Sequence, residues 1–181
     1  HGDLVDWIKR NIGELATIES YDIQPDQPYI KKQDTLLNPP DYTNSWIITN
    51  PPYLARNKSK CKKLFDMYNT NDLYKCFIHS IVNQNNCLGG IFIIPAGFFF
   101  SSRAVDIKCR NDFMSKYRIL KIKYFEESVF ADTTTTVVAF SFIHSDSQLS
   151  EQTVEWIMMP SKESKTFRVS SSTKWIVGGE L

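Results

Sequence analysis

The chain has 181 residues, of which 42% are hydrophobic, 13% aromatic and 23% charged. This composition is typical of one packed globular domain and excludes a disordered chain, a collagen-like repeat and a disulfide-stapled miniprotein. The formal net charge is +1, so any basic surface for an acidic partner must be local. Cys61, Cys76, Cys87 and Cys109 form no CxxC pair, which predicts reduced thiols rather than a zinc site or a disulfide framework.

The sequence shows no pattern of a secretory leader or a membrane helix. Its longest apolar stretch, residues 91–100, is too short to cross a bilayer and contains Pro95 and Gly97. We therefore predict a cytoplasmic protein that has no membrane partner.

The first half of the sequence alternates helical and strand patterns. Apolar residues recur every third or fourth position in residues 3–12, which predicts an amphipathic helix. Residues 15–23, 29–37 and 45–49 each contain β-forming side chains and end at turn residues or prolines, so each is predicted to form a strand. A second helix is predicted to begin near residue 71.

The second half continues this alternation. Residues 88–94 predict a strand, residues 101–116 a helix, and residues 119–125 and 137–143 two further strands. Such an alternation predicts an α/β fold with a mostly parallel sheet. The last two strands are joined by a connection too short for a crossover helix, so we expect them to pair antiparallel.

The tail of the chain, residues 145–181, differs in composition from the rest. It is rich in serine and charged residues and has one apolar island at residues 154–159. The tail is either a linker that begins a target-recognition region or a set of strands that pack on the sheet edge. We place the end of the first domain at residue 144.

The most informative motif is Asn50-Pro51-Pro52-Tyr53, directly after the predicted strand at residues 45–49. Neither proline can donate a backbone N–H to a sheet, so the strand must end here in a stiff turn. Open α/β sheets bind ligands at the carboxyl ends of their strands. The motif therefore lies where a binding site is expected.

This turn offers hydrogen-bond acceptors and an aromatic face to a planar substrate. The Asn50 side-chain oxygen and the Pro51 carbonyl can both accept hydrogen bonds from a planar amino group. Accepting both protons exposes the nitrogen lone pair for attack on a methyl sulfonium. Tyr53 can stack on the ring that carries the amino group. Taken alone, the four residues fit an ordinary turn with a surface tyrosine equally well.

With their neighbours, these residues resemble the S-adenosylmethionine-dependent DNA adenine-N6 methyltransferases of restriction–modification systems, of the type whose cofactor motif precedes the catalytic motif. The resemblance covers about residues 1–143. It rests on the order of six elements: a cofactor-loop glycine, two acids after strands, the catalytic turn, the next strand and an aromatic residue. In this chain they are Gly2, Asp22, Asp34, residues 50–53, residues 91–95 and Phe130.

The resemblance implies that residues 1–144 form a Rossmann-like methyltransferase domain with S-adenosylmethionine as its cofactor. It assigns cofactor binding to Gly2, Asp22 and Asp34, with Asp22 at the ribose hydroxyls and Asp34 near the cofactor's adenine amino group. Methyl transfer from a sulfonium needs no metal ion, and we predict no metal site.

The resemblance also implies the residues that act on the substrate. Asn50, Pro51 and Tyr53 correspond to the catalytic residues, and Pro52, Tyr53 and Phe130 correspond to residues that hold the target base. An adenine inside a duplex cannot reach such a pocket, so it must be flipped out at a cost of a few kcal/mol. The implied function is site-specific methylation of adenine N6 in double-stranded DNA.

A cationic run follows the catalytic motif. Residues 56–63 contain five lysines and arginines and no acid. Charge runs are usually solvated loops, but this one follows the predicted base-binding turn. We therefore predict that Arg56, Lys58 and Lys60 contact DNA phosphates.

Parts of the family pattern are not found in these residues. The bulk of the cofactor loop and the strand before it are expected upstream of His1, and the tail does not provide a full target-recognition domain. We expect a longer natural protein or a second polypeptide to complete the fold, and a cognate restriction endonuclease as a further partner. A bacterial, viral or phage origin fits this system. The isolated chain is expected to bind S-adenosylmethionine weakly or not at all.

Two other functions stay open at this point. The same turn is used on other planar nitrogens, in ribosomal-RNA guanine-N2 and protein-glutamine methyltransferases. The lysines after Tyr53 and the aromatic Phe130 favour a nucleic acid over a glutamine side chain. The second alternative is a non-catalytic methyltransferase-like module that binds nucleic acid or a partner subunit, against which the intact motif at residues 50–53 argues.

Overall fold

The structure, a computed structural model, describes residues 3–12, 15–130 and 135–178. The chain divides into two compact units, His1–Asp41 and Tyr42–Leu181. Among the described residues, no helix is long and apolar enough to cross a membrane.

The first unit contains one helix and a small parallel sheet among its described residues. Helix α1 spans Asp3–Ile12, as predicted. Strand β1 (Tyr21–Asp22) pairs in parallel with β2 (Lys31–Lys32). Both strands lie within predicted strands, but each has only two residues.

These two strands are shorter than predicted because β propensity counts only where side chains find a packed surface. Leu15 is 90% exposed and Ile23 is 60% exposed, so neither contributes to a core as a strand residue would. Prolines at positions 25, 28, 39 and 40 further limit the backbone donors available to a longer sheet.

The second unit carries most of the secondary structure. In chain order, its elements are β3 (Trp46–Thr49), α2 (Lys63–Met67), α3 (Leu73–Gln84), β4 (Gly89–Pro95), α4 (Gly97–Phe100), α5 (Ala104–Met114), β5 (Tyr117–Phe125), β6 (Val137–His144), β7 (Glu151–Met159) and β8 (Ser164–Ser170). The predicted strands at 45–49, 88–94, 119–125 and 137–143 and both predicted helices are confirmed to within a few residues at each end.

The strands of the second unit form one six-stranded sheet in the order β3-β4-β6-β5-β7-β8. β3 and β4 are parallel, as are β5 and β7, whereas β6 is antiparallel to both of its neighbours and β8 to β7. Four strands therefore run one way, and β6 and β8 run the other. This arrangement confirms the predicted α/β fold and the antiparallel pairing of residues 119–125 with 137–143.

The tail joins this sheet. Its apolar island lies in β7, which pairs with β5, and β8 follows as the edge strand. After β8, Trp175 and Val177 are buried, and the Val177 N–H donates to the carbonyl of Phe99 at 3.0 Å. The alternative of strands that pack on the sheet edge is thus what residues 151–170 adopt, whereas the predicted domain boundary after residue 144 stays a prediction.

One face of the sheet holds an aromatic core. Phe92 of β4 stacks on Phe140 and Phe142 of β6, with ring centroids 5.7 and 5.3 Å apart. Phe113 of α5 meets the edges of these rings, and Ile78 of α3 belongs to the same buried cluster. Helices α3 and α5 therefore cover this face, and buried residues alternate with more exposed ones from Gly90 in β4 and from Val138 to Ile143 in β6.

Gly90 lies where β4 passes closest to β3. A Cβ atom at this position would lie 2.0 Å from the backbone oxygen of Ile47, its partner in β3. Gly97, at the start of α4, has no atom within 4 Å of the equivalent position. The two glycines thus provide a matched pair for testing how tightly β3 is held.

We expect Gly90→Ala to lower the free energy of unfolding by about 3 kcal/mol, because β3 cannot retreat without breaking its pairs with β4. Gly97→Ala should be neutral or stabilising by up to about 1 kcal/mol, because alanine restricts the unfolded chain more. Urea denaturation of both variants measures the difference. Equal stabilities would contradict the close approach of β3 and β4.

Candidate active site

The predicted catalytic turn begins where β3 ends. The pairing of β3 with β4 runs from Trp46 to Thr49 and stops before Asn50. The Asn50 side chain is exposed and Pro51 is buried. Because two prolines follow Asn50, the chain leaves the sheet here and places Asn50 and Tyr53 at the carboxyl end of β3, as predicted.

The topology brings two other loops to the same sheet edge. β4 and β5 run in the direction of β3, so they also end there, and the antiparallel β6 begins there. The Ala96 N–H donates to the Thr136 carbonyl at 2.9 Å, which links the end of β4 to the start of β6. Phe130 lies in the connection between β5 and β6 and so reaches the edge that carries Tyr53.

The Tyr53 side chain is held by its hydroxyl. The hydroxyl oxygen lies 2.8 Å from Oδ1 of Asn50 and 2.9 Å from the carbonyl oxygen of Ile93 in β4. Burial raises the pKa of Tyr53 far above its ordinary value, so the hydroxyl stays protonated and acts as a donor. Asn50, Tyr53 and β4 are thereby joined in one hydrogen-bonded group.

The Tyr53 ring lies between two other aromatic rings. Tyr74 of α3 meets it edge-on at 6.5 Å between centroids, and Phe130 meets it at 6.3 Å with planes 67° apart. A base sandwiched between two rings needs them parallel and about 7 Å apart, since each stacking contact takes about 3.5 Å. The structure thus brings Phe130 to Tyr53 as predicted, with the two rings in edge contact rather than open around a base.

The segment after the motif is fastened to the start of α3. The Leu73 N–H donates to the Leu54 carbonyl and the Arg56 N–H donates to the Asn71 carbonyl, both at 2.9 Å. Ala55 and Asp72 form an isolated antiparallel bridge between these bonds. The position of the turn at residues 50–53 therefore depends on the position of α3.

Helix α3 is in turn linked to α5 by a buried ion pair. The side chains of Lys75 and Asp106 are each 1% exposed, and the Lys75 ammonium donates to Oδ1 of Asp106. Lys75 also donates to Oδ1 of Asn71 at 2.8 Å. Asp106 further accepts hydrogen bonds from the Ser101 hydroxyl and, at 2.7 Å, from Nε of Arg103. The pair thus connects α3, α5 and the loop after α4.

These donors control the ionisation of Asp106. Burial by itself would raise the pKa of this carboxyl group, but hydrogen bonds from Lys75, Ser101 and Arg103 and the charge of Lys75 lower it below its ordinary value. A carboxylate whose pKa is lowered on folding stabilises the folded state above its unfolded pKa of about 3.9, and this contribution is lost as the pH falls through the folded pKa.

We expect the single variant Lys75→Met to lower the free energy of unfolding at pH 7 by about 3–5 kcal/mol, since it leaves Asp106 buried without its main partner. The double variant Lys75→Met/Asp106→Leu should recover much of this loss. Between about pH 6 and pH 2, the wild type should lose more stability than the double variant, because only the wild type must protonate Asp106. Urea titrations across this range measure both effects, and parallel pH curves would contradict this role for the carboxylate.

The cationic run forms a 3₁₀ turn, Arg56–Lys58, followed by a loop into α2. Arg56 forms an ion pair with Asp66 of α2 at 2.6 Å, and the Lys62 ammonium donates to the carbonyls of Arg56 and Ser59. These two cations therefore stabilise the loop itself. Lys58, Lys60 and Lys63 are exposed, so the DNA-phosphate prediction depends most on lysines rather than on Arg56.

We expect Lys58→Gln/Lys60→Gln in the full-length encoded protein to reduce the slope of log K against log salt concentration by about 1.8, or about 0.9 for each phosphate that is no longer neutralised. Lys162→Gln/Lys165→Gln, at exposed positions beside the β7–β8 turn, is the matched control and should leave the slope unchanged. Fluorescence anisotropy with labelled duplex DNA at several salt concentrations measures it. Equal slopes in the two double variants would remove these lysines from the interface.

The predicted cofactor acids lie in the first unit. Asp22 is the last residue of β1, and its Oδ1 accepts the Gln24 N–H at 2.7 Å. Oδ1 of Asp34 accepts the N–H groups of Leu36 and Leu37 at 3.0 and 3.1 Å. Because β1 and β2 are parallel, both acids lie at the carboxyl ends of neighbouring strands. Gly2, the third predicted cofactor residue, lies outside the described residues.

An open cleft adjoins these strand ends. It has one prominent apolar side chain and one carboxylate among polar neighbours; its lining residues are Ile23, Lys32, Gln33, Asp34, Asn38 and Pro39. A carboxylate can accept more hydrogen bonds than the two that Asp34 receives from its own loop. The cleft therefore offers an acceptor and an apolar surface to an adenosyl group.

The described residues contain no group of three or more His, Cys, Asp or Glu side chains that could hold a metal ion. All four cysteines are free; Cys61 is exposed, and Cys76, Cys87 and Cys109 are buried. Burial raises the pKa of both Cys76 and Cys109 to about 12, so these thiols are unreactive at neutral pH.

Three features of this site were missed by sequence reasoning. The Ile93 carbonyl is a backbone group and carries no signal in its residue type. Tyr74 reaches Tyr53 only because α3 is fastened beside the motif. Lys75 did leave a signal, since it lies between the apolar Tyr74 and Cys76 of a helix whose other residues are mostly buried, and a charge in that position needs a partner.

Residues 41–130 match the sequence model of the family described as Eco57I restriction-modification methylase. The matched stretch contains the turn at residues 50–53, the cationic run and Phe130. The predicted resemblance to the methyltransferases of restriction–modification systems is thereby confirmed. A comparison with curated protein sequences gives no significant match.

Solved structures with the same fold come from restriction enzymes. A modification subunit assigned to a type I restriction enzyme of Vibrio vulnificus YJ016 matches 77% of this chain and 31% of its own length, with a TM-score of 0.53 and 18% identity. The M protein of the type I restriction enzyme EcoKI matches 72% and 29%, with a TM-score of 0.52 and 15% identity. The type IIG restriction endonuclease BpuSI matches 82% and 22%, with a TM-score of 0.55 and 11% identity.

These structural matches extend the likeness beyond the family segment. At such low identities they show the fold alone. The chain spans less than a third of the length of each of these three proteins.

Proposed function

We propose that this chain, whose residues 41–130 match the family model of the Eco57I restriction-modification methylases, transfers a methyl group to the exocyclic N6 of an adenine flipped out of double-stranded DNA. One observation carries the proposal: Asn50 and Tyr53 lie together at the carboxyl end of β3, joined by a hydrogen bond, with Phe130 against the Tyr53 ring. This group offers an acceptor for an amino group beside aromatic rings for a planar base.

We assign Asn50 and Pro51 to bind the amino group of the target adenine. The Asn50 amide oxygen and the Pro51 carbonyl accept its two protons, which favours a pyramidal nitrogen with its lone pair exposed. The stiff Pro51-Pro52 backbone holds the two acceptors in place before the substrate arrives, so little ordering is left to occur in the reaction. The proton lost from the amine leaves to water, so the proposal needs no dedicated base.

We assign Tyr53 and Phe130 to hold the ring of the target base by stacking. Stacking of a base on an aromatic side chain contributes roughly 1–3 kcal/mol, which offsets much of the cost of flipping. Pro52 is exposed next to Tyr53 and is proposed to limit the space beside the base. Binding requires the Phe130 ring to separate from Tyr53.

S-adenosylmethionine is the proposed cofactor and would supply an electrophilic methyl group when bound. Asp22 and Asp34 are assigned to hold it, Asp22 by the ribose hydroxyls and Asp34 by the adenine amino group. Support comes from the cleft beside Asp34 and from the placement of both acids at the ends of parallel strands. Gly2 is proposed to belong to the same cofactor site.

The proposed partners follow from the proposed reaction. Double-stranded DNA is the substrate, with Lys58 and Lys60 at its phosphates and Arg56 beside them. A further segment or polypeptide is proposed to complete the cofactor site and to read the target sequence, and a restriction endonuclease is the proposed companion activity. The bacterial or virus-infected cytoplasm, where DNA and the cofactor meet, is the proposed location.

We expect the full-length encoded protein to transfer labelled methyl from S-adenosylmethionine to adenine N6 of unmethylated duplex DNA. Asn50→Ala should lower the single-turnover rate by at least about 100-fold, because the amino group loses the acceptor that exposes its lone pair. Asn83→Ala, at an exposed position on α3, is the matched control and should retain the wild-type rate.

Three results would contradict the proposal. Full activity of Asn50→Ala would remove the motif from the chemistry. Label on RNA guanine or on a protein glutamine, but not on DNA, would move the reaction to another planar nitrogen. Binding of DNA without any transfer by the wild type would favour the non-catalytic module. Nucleoside analysis of the labelled product by mass spectrometry distinguishes these results.

A further inference from the structure

The Tyr53 hydroxyl has one proton and two acceptors within reach. Its oxygen lies 2.8 Å from Oδ1 of Asn50 and 2.9 Å from the Ile93 carbonyl oxygen, and both distances are those of a hydrogen bond. A phenol donates a single proton. The hydroxyl therefore donates fully to one of the two acceptors or shares its proton between them.

One of these acceptors is the atom that the proposed reaction needs. Asn50 Oδ1 is proposed to accept a hydrogen bond from the substrate amino group. In the structure it already accepts one from the Tyr53 hydroxyl. A carbonyl oxygen has two lone pairs, but the first donor withdraws electron density and weakens the bond to a second. The Tyr53 hydroxyl and a substrate N–H therefore compete for Asn50.

The Ile93 carbonyl lowers the energetic cost to the Tyr53 hydroxyl of losing its bond to Asn50. If the hydroxyl gives up Asn50, it keeps a partner on β4 and is not left as an unsatisfied donor in a half-buried position. The exchange requires only a rotation of the hydroxyl about its C–O bond, since both acceptors are already at hydrogen-bond distance. The ring of Tyr53 can remain where it packs against Tyr74.

We infer that the Tyr53 hydroxyl donates its hydrogen bond to Asn50 Oδ1 while the base site is empty. When a substrate amino group binds Asn50, the hydroxyl donates to the Ile93 carbonyl instead. This inference rests on the proposed function, and it gives the hydroxyl a role separate from stacking by the ring. It has a measurable consequence. A base without an amino group leaves the Tyr53–Asn50 bond intact, whereas adenine must displace it.

Removing the Tyr53 hydroxyl should therefore increase the preference for adenine over a base that lacks the amino group. In Tyr53→Phe, a base without an amino group leaves Asn50 without its donor, and adenine no longer competes with the hydroxyl. Both effects raise the preference for adenine over purine, which lacks only the 6-amino group. Any general loss from the missing anchor on Ile93 affects both bases and cancels in the ratio.

The experiment uses the full-length encoded protein and duplexes that carry either adenine or purine at a mapped target position. We expect the ratio of dissociation constants, purine over adenine, to rise about three- to tenfold in Tyr53→Phe, the factor that corresponds to one ordinary hydrogen bond. Tyr124→Phe, on β5, which β4 and β6 separate from β3, is the matched control and should leave the ratio unchanged. Circular dichroism verifies that both variants are folded.

The outcomes separate this inference from the function on which it rests. If the wild type does not methylate adenine, the proposed function fails and the inference fails with it. If the wild type methylates adenine but the ratio in Tyr53→Phe is unchanged or lower, the inference alone is overturned. A raised ratio in a methylating enzyme supports both.

Discussion

The turn at residues 50–53 depends on the inability of Pro51 and Pro52 to extend β3. The sheet needs backbone donors, and two successive residues that lack them force the chain away from β4 at the point where the strands end. Asn50 is left exposed, Pro51 is buried, and Tyr53 returns to β4 through its hydroxyl. A restriction on backbone hydrogen bonding thus becomes a fixed arrangement of side chains at the edge where ligands of α/β proteins bind.

A buried ion pair also holds the turn at residues 50–53 in place. Lys75 and Asp106 are almost fully buried, and between them they hold Asn71, Ser101 and Arg103. The segment after the motif bonds to residues 71–73 and shares their position. A hydrophobic pair could stabilise α3 and α5 as well or better, but it could not also orient the polar side chains around it. The ion pair therefore joins the stability of two helices to the placement of the turn.

The sequence was sufficient to predict the features that depend only on neighbouring residues. Residues 50–53 had to leave the sheet because of their prolines, and the dense apolar and β-branched runs around Phe92 and Phe140 predicted their strands. Contacts between distant segments were not predictable in the same way: the Ile93 carbonyl is common to every residue type, and Tyr74 reaches the site through tertiary packing. The strands at residues 15–23 and 29–37 were predicted too long for a related reason, since propensity does not reveal how many residues of a strand will find a partner.

The position of β6 in the sheet has a consequence for how the molecule is assembled. β6 lies between β4 and β5 although it follows both in the chain, so these two strands have no common neighbour until residues 137–144 have been synthesised. The pairing of β6 with β4 joins segments far apart in the chain, such as Pro95 and Val137, and such pairings form late because the loop between them must be closed first. The family-matched stretch, residues 41–130, ends before β6. Within that stretch β4 and β5 are therefore not yet joined through the sheet, which becomes continuous only when β6 has been added between them.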